Sequence, residues 1–143
     1  DFIGQPAELR AALAGIDPGT LNRRPVGSDW SIRDRVIYLA DTEQWLATAV
    51  HLSLTADLPA IPAPVDSAFV RRLHYLWRDP EAALSLFQQA RWANAELLES
   101  LDVPQWQREA LVDGAPLTIA TLLALAVQRG RDQLAGIAAA TAR

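Results

Sequence analysis

Imidazole and thiol groups, the side chains most often used to bind zinc or to act as nucleophiles, are scarce in this sequence. The chain has no cysteine and only two histidines, His51 and His74. Without cysteine the chain offers no disulfide, zinc ribbon, iron–sulfur cluster or thiol nucleophile. His74 follows the Arg71-Arg72 doublet, and the two histidines are predicted on different helices. We therefore expect ordinary surface or boundary histidines rather than a shared metal site.

The charged and aromatic residues also limit the possible functions. All 13 basic residues are arginine, and 17 acids give a formal net charge of −4. This balance argues against general binding to the phosphate backbone of nucleic acids. The two basic doublets, Arg23-Arg24 and Arg71-Arg72, are interpreted as solvated faces. The five tryptophans lie mostly in predicted helices, where aromatic residues are typical of core or interface packing.

The length and composition indicate one domain. A chain of 143 residues with 50% apolar residues can bury a single core, and we interpret residues 1–143 as one domain without internal repeats. The longest apolar stretch, residues 119–127, is too short to cross a bilayer. The first residues lack the pattern of a signal peptide. A cytoplasmic protein without membrane contact is the resulting expectation.

Helical periodicity and helix-start signals predict an all-α chain. The four principal helices are expected at residues 6–16, 31–54, 80–101 and 118–140, with a shorter helical stretch from Asp66 and one turn at 104–109. Ser31 and Asp34 form a predicted capping box. Residues 58–64 contain three prolines and should be an extended crossover. No segment alternates with period two, so no strand is predicted. The pattern describes a four-helix bundle with a long proline-containing crossover.

Several segments together resemble the DinB/YfiT-like superfamily. They are residues 21–25 and 30–41, with the Trp30-Ser31-Ile32 helix start after an Arg-Pro loop, then Arg91, residues 114–123 and residues 131–137. Their order and spacing match over nearly the whole chain. Members of this family are four-helix bundles, often dimeric, and many bind a divalent metal through three histidines. Some are transferases that use low-molecular-weight thiols such as bacillithiol or mycothiol.

Mapped through this resemblance, the three histidine positions hold Tyr38, Arg129 and Gln133. A guanidinium stays protonated and repels cations, and neutral tyrosine and glutamine are weak zinc ligands. The resemblance therefore implies the fold together with a degenerate metal site, and we predict no metal and no other cofactor.

The resemblance also implies that these three side chains project into the cavity that holds the metal in the family. We predict a ligand-binding pocket there, formed by Tyr38, Asp41, Trp45, Arg129 and Gln133. Asp41 is the carboxylate first expected to pair with Arg129, and Trp45 lies on the helix face of Tyr38. Three interpretations stay open: a structural polar cluster, a pocket in which Arg129 holds a carboxylate or phosphate, and catalysis by Tyr38 as a general acid.

Three functions remain possible on these grounds. The first is a metal-free, non-enzymatic binding or dimerisation module. The second is a thiol-dependent transferase that acts without the usual metal, with Arg129 recognising a carboxylate of the thiol cofactor. The third is a structural protein whose cavity is filled by side chains. No catalytic residue is predicted, and the expected partners are a second copy of the chain and a small anion, with no nucleic acid.

Overall fold

The computed structural model describes residues 1–142, which form seven α-helices, one 3₁₀ turn and three short strands. In chain order these are α1 (Gln5–Leu13), α2 (Pro18–Asn22), α3 (Ile32–Thr55), β1 (Ala60–Ile61), α4 (Asp66–Arg72), the 3₁₀ turn (Tyr75–Trp77), α5 (Pro80–Glu99), α6 (Val103–Trp106), β2 (Glu109–Val112), β3 (Ala115–Thr118) and α7 (Ile119–Thr141). The prediction of a mostly helical chain is confirmed, and the prediction that it has no strand is wrong.

The long helices begin where their sequence signals place them. The Ser31 hydroxyl accepts from the Asp34 backbone N–H at 3.1 Å, and the Asp34 carboxylate accepts from the Ser31 N–H at 3.0 Å. Asp79 caps α5, with Pro80 at its first position, and Thr118 caps α7 by accepting from the Thr121 N–H at 3.1 Å. Each cap satisfies backbone donors that the first turn leaves free, so the predicted starts of α3, α5 and α7 are confirmed.

Four helices make the bundle. The 24-residue α3 is roughly 36 Å long and packs against both α5 and α7, and the short α1 packs against the same two helices from the opposite corner. One core cluster surrounds the first half of α3 and includes Tyr38, Tyr75 and Ile137. A second cluster surrounds its later half and includes Leu46 and Leu122. Of the predicted pocket residues, Tyr38 therefore belongs to the first cluster.

A three-stranded sheet closes the far end of the bundle. β2 and β3 form an antiparallel hairpin through Asp113-Gly114, whose φ angles are +49° and +83°, and β1 adds in parallel to β2. Two residues with positive φ are the mark of a type I′ hairpin turn, which Asp-Gly favours. This signal was present in the sequence, but the strands are too short for a clear alternating pattern.

The chain near the N-terminus also differs from the prediction. α1 ends at Leu13 rather than near residue 16, and α2 forms where a stop and a loop were expected. Asp17 accepts from the Thr20 N–H at 2.9 Å and Pro18 follows it, so the residues that end one helix also begin the next. Within residues 1–142, every helix is too short or too polar to span a membrane.

Candidate functional site

The structure brings Tyr38 of α3 and Arg129 of α7 together. Tyr38 is buried, and its hydroxyl donates to Asp66 Oδ1 at 2.6 Å. The Arg129 guanidinium lies close enough to the same hydroxyl for its positive charge to act on the pKa of Tyr38. Asp66 is the exposed first residue of α4. The sequence indicated Asp66 only as a helix start, because its distance of 28 residues from Tyr38 gives no sign of contact.

The surroundings of Tyr38 keep its hydroxyl protonated. Its ring makes edge-to-face contacts with Trp30 and Phe69, at centroid distances of 4.9 and 6.1 Å. Burial raises the pKa of Tyr38 well above its ordinary value, and the hydrogen bond to Asp66 raises it further, whereas the positive charge of Arg129 opposes the shift. At neutral pH this phenol is therefore a hydrogen-bond donor rather than a phenolate.

Gln133 lies one turn along α7 from Arg129 and is engaged by another arginine. Its Oε1 accepts from Arg35 Nη1 at 2.8 Å, and the Arg35 guanidinium lies 5.8 Å from the centre of the Trp30 ring. Gly136 provides the space for this contact, because a Cβ at that position would lie 2.3 Å from Arg35 Cζ. The amide oxygen of Gln133 is thus already used within the protein.

Asp41 does not pair with Arg129, and that expectation was wrong. Its carboxylate binds Arg78, which follows the 3₁₀ turn, through two hydrogen bonds of 2.6 and 2.7 Å. The Arg78 guanidinium also lies 5.4 Å from the centre of the Tyr75 ring. Burial, followed by the negative charge of Asp41, raises the pKa of Tyr75. The contact joins α3 to the segment that leads into α5.

Trp45 lies apart from the other predicted pocket residues. Its Nε1 donates to the Pro62 carbonyl at 2.8 Å, and it packs against the second core cluster, whereas Tyr38 belongs to the first. The side chain therefore holds the proline-containing crossover against α3. His51 and His74 are both exposed. Nowhere in residues 1–142 do three histidine, aspartate or glutamate side chains come together as a possible metal site.

Arg129 differs from Arg78 and Arg91 in its partners. It is half-buried, yet no acid among residues 1–142 forms an ion pair with it. Arg78 and Arg91, by contrast, each bind a carboxylate with two nitrogen atoms. A guanidinium that is partly removed from water and lacks a carboxylate can bind an anion from solution.

A buried polar network, which the sequence analysis missed, joins α1, α3 and α5. Arg91 contacts both carboxylate oxygens of Glu43 at 3.0 Å, and its Nη1 donates to Gln5 Oε1 at 2.8 Å and to the Phe2 carbonyl at 2.6 Å. Asn94 donates to Glu43 Oε2 at 2.9 Å. The side chains of Gln5, Glu43, Arg91 and Asn94 are all buried, so we interpret this network as structural.

Comparisons with known proteins agree with the observed fold. The family model described as "DinB superfamily" matches residues 2–129. A Geobacillus thermodenitrificans protein named "Putative metal-dependent hydrolase" is 32% identical over 124 residues, which cover 82% of this chain and 68% of that protein. The Bacillus subtilis protein "Putative metal-dependent hydrolase YfiT" is 28% identical over 103 residues, which cover 72% of this chain and 58% of that protein.

One solved structure is similar over nearly the whole chain. It is that of YfiT from Bacillus subtilis, described as "a probable metal-dependent hydrolase with an unusual four-helix bundle topology". The TM-score is 0.91 and the sequence identity 26%, and the match covers 99% of this chain and 82% of that chain. The predicted four-helix bundle is confirmed by this likeness.

Proposed function

The chain belongs to the DinB superfamily, and on that premise we propose that it is a metal-independent, non-enzymatic binding module that holds a small anion at Arg129. One observation carries the proposal. Arg129 is a half-buried cation close to the Tyr38 hydroxyl, and no acid among residues 1–142 forms an ion pair with it.

The names of the relatives refer to metal dependence, so the donor atoms of this chain must be compared with what a metal needs. Zinc binds neutral imidazole, thiolate or carboxylate groups. Tyr38 is protonated and donates to Asp66, Arg129 carries a positive charge, and the Gln133 oxygen is bound to Arg35. These three residues do not fit a divalent cation, and we assign no reaction step to a metal.

An anion, by contrast, fits the charge at this position. A partly desolvated guanidinium is costly when it is unpaired, and a carboxylate or phosphate can bind it through two parallel hydrogen bonds. A carboxylate and a phosphate share this chemistry, so the ligand class is a small oxyanion.

The alternative of a thiol-dependent transferase needs a group that accepts the proton of the thiol. The raised pKa of Tyr38 disfavours that role, and the Arg129 guanidinium remains protonated. For this reason we propose binding rather than transfer. A homodimer, which the family resemblance implies, is part of the proposal. The exposed apolar side chains of Trp92 on α5 and Leu125 on α7 are surface that a second copy could cover.

The proposal is tested by titrating the purified protein with inorganic phosphate, acetate and citrate while thermal unfolding and binding heat are measured. At least one of these anions should raise the melting temperature of the wild type, and Arg129→Met should remove the effect. Arg131→Met is the matched control, because Arg131 is an exposed arginine on the same helix. The proposal fails if none of the three anions binds, or if Arg129→Met binds as well as the wild type.

A further inference from the structure

The 3₁₀ turn between α4 and α5 presents large apolar side chains to solvent. Leu76 is 77% exposed and Trp77 is 83% exposed. Tryptophan is usually well covered in folded proteins because its ring has a large apolar area. His74 precedes the turn with a left-handed φ of +54°, a conformation that residues other than glycine rarely adopt. The backbone thus presents these two side chains despite local strain.

Three arginines lie near this turn, in the chain or at a shared cavity. Arg71 and Arg72 are exposed on the last turn of α4. Arg24 comes from the loop before α3 and lines, together with Leu76, a cavity of about 100 Å³. Within residues 1–142 none of these three arginines forms an ion pair with an acid. We define the arginine–tryptophan patch as Arg24, Arg71, Arg72, Leu73, Leu76 and Trp77.

The charge of this patch is opposite to that of the chain as a whole. The net charge of the protein is −4, whereas the patch carries three unpaired positive charges. Two neighbouring acids, Asp66 and Asp79, accept hydrogen bonds from Tyr38 and from the first turn of α5 but keep their negative charges, so the three arginines and these two acids together carry a net charge of +1. Salt screens exposed charges beyond roughly 8–10 Å, so distant acids weaken the local positive potential only slightly. The patch is therefore complementary to an anionic partner.

We propose that the arginine–tryptophan patch docks the protein on an anionic lipid surface. Tryptophan favours the boundary between headgroups and acyl chains, arginines are attracted to anionic headgroups, and peripheral binding combines these two contributions. Leu76 and Trp77 protrude, whereas peptide recognition usually needs a groove or a sheet edge. A symmetric contact between two copies through this patch would bring arginines opposite arginines.

This inference departs from the expectation of no membrane contact. That expectation came from the absence of a spanning segment, which peripheral docking does not require. The inference is also independent of the proposed anion site, because Arg129 is not part of the patch.

The test is co-sedimentation with vesicles of phosphatidylcholine alone and of phosphatidylcholine mixed with one third phosphatidylglycerol, at low and high salt. The wild type should bind the anionic vesicles at least tenfold more tightly than the neutral ones, and high salt should weaken this binding. Leu76→Ser/Trp77→Ser and Arg71→Glu/Arg72→Glu should each lose at least tenfold in binding. Val103→Ser, at another highly exposed apolar residue, and Arg131→Glu should bind like the wild type. Circular dichroism checks that each variant is folded.

Three results would overturn the proposal. The first is equal binding of the wild type to neutral and anionic vesicles, or no binding to either. The second is that both patch variants bind the anionic vesicles as tightly as the wild type does. The third is concentration-dependent self-association of the wild type that Leu76→Ser/Trp77→Ser abolishes, which would identify the patch as an interface between copies of the chain.

Discussion

Breaking the ion pair between Asp41 and Arg78 should cost more when the arginine is removed than when the aspartate is removed. The Asp41 side chain is only 9% exposed, whereas that of Arg78 is 33% exposed. In Arg78→Met the carboxylate stays in place without a partner and with little access to water. In Asp41→Asn the guanidinium still reaches solvent and keeps its position over the Tyr75 ring. Leaving the more buried Asp41 without a partner should therefore lower the free energy of unfolding more than leaving Arg78 without one.

The size of each effect follows from these environments. Breaking a fully buried pair costs about 3–5 kcal/mol, and an exposed pair contributes only about 0–1 kcal/mol. Since Arg78 is one-third exposed, we expect Arg78→Met to lower the free energy of unfolding by about 2.5 kcal/mol and Asp41→Asn by about 1 kcal/mol. The double variant should lose about 2 kcal/mol, which gives a coupling of about 1.5 kcal/mol, as expected for a bidentate charge-assisted contact.

The assay is urea unfolding of the wild type, the two single variants and the double variant under identical conditions. These four proteins form a double-mutant cycle. A second double-mutant cycle, with Asp41→Asn and Arg129→Met, is the matched control, and its coupling energy should be below about 0.5 kcal/mol. Equal losses of unfolding free energy in Asp41→Asn and Arg78→Met would contradict this prediction. A coupling of Asp41 to Arg129 as strong as that to Arg78 would contradict it as well.

Two further predictions concern buried groups. Burial raises the pKa of both tyrosines, Tyr38 and Tyr75, so above pH 10 the unfolded chain loses protons that the folded chain keeps. The free energy of unfolding should then fall by up to about 2.7 kcal/mol per pH unit, as measured by urea unfolding; tyrosinate absorbance appearing near pH 10 in the folded protein would contradict this. Glu43→Gln and Arg91→Met should each lower the free energy of unfolding by about 3–5 kcal/mol because they break a buried ion pair. Arg10→Ala, at an exposed ion pair, should lower it by less than about 1 kcal/mol, and equal losses in urea unfolding would contradict this difference.

Local signals in the sequence were sufficient to place the main helices. Ser31, Asp79 and Thr118 cap α3, α5 and α7 through contacts that span only two or three residues, so the sequence contains both partners of each contact close together. The hairpin was missed although Asp113-Gly114 indicates a tight turn. Its strands have four residues each, which is too short for a clear alternation of apolar and polar residues. The strands are stabilised by pairing with each other and with Ala60–Ile61, and the pattern within one strand does not predict that pairing.

The partners of the site residues could not be predicted in the same way. Because Asp41 follows Tyr38 by three residues on the same helix, it was expected to form an ion pair with Arg129. In the structure it binds Arg78, which is 37 residues away along the chain. Asp66 reaches Tyr38 across 28 residues. Both contacts depend on how the crossover folds back over α3, and that path is set by tertiary packing rather than by the pattern of either helix.

Whether Tyr38, Arg129 and Gln133 bind a metal is tested by the metal content of protein purified without an affinity tag. The variant Tyr38→His/Arg129→His/Gln133→His is the positive control, because it places three imidazoles at the positions that the family resemblance assigns to metal ligands. The wild type should contain no stoichiometric divalent metal and show no change in melting temperature with zinc or nickel, whereas the triple variant should bind about one ion per chain. Zinc or nickel near one ion per wild-type chain would instead show that the wild-type residues bind a metal.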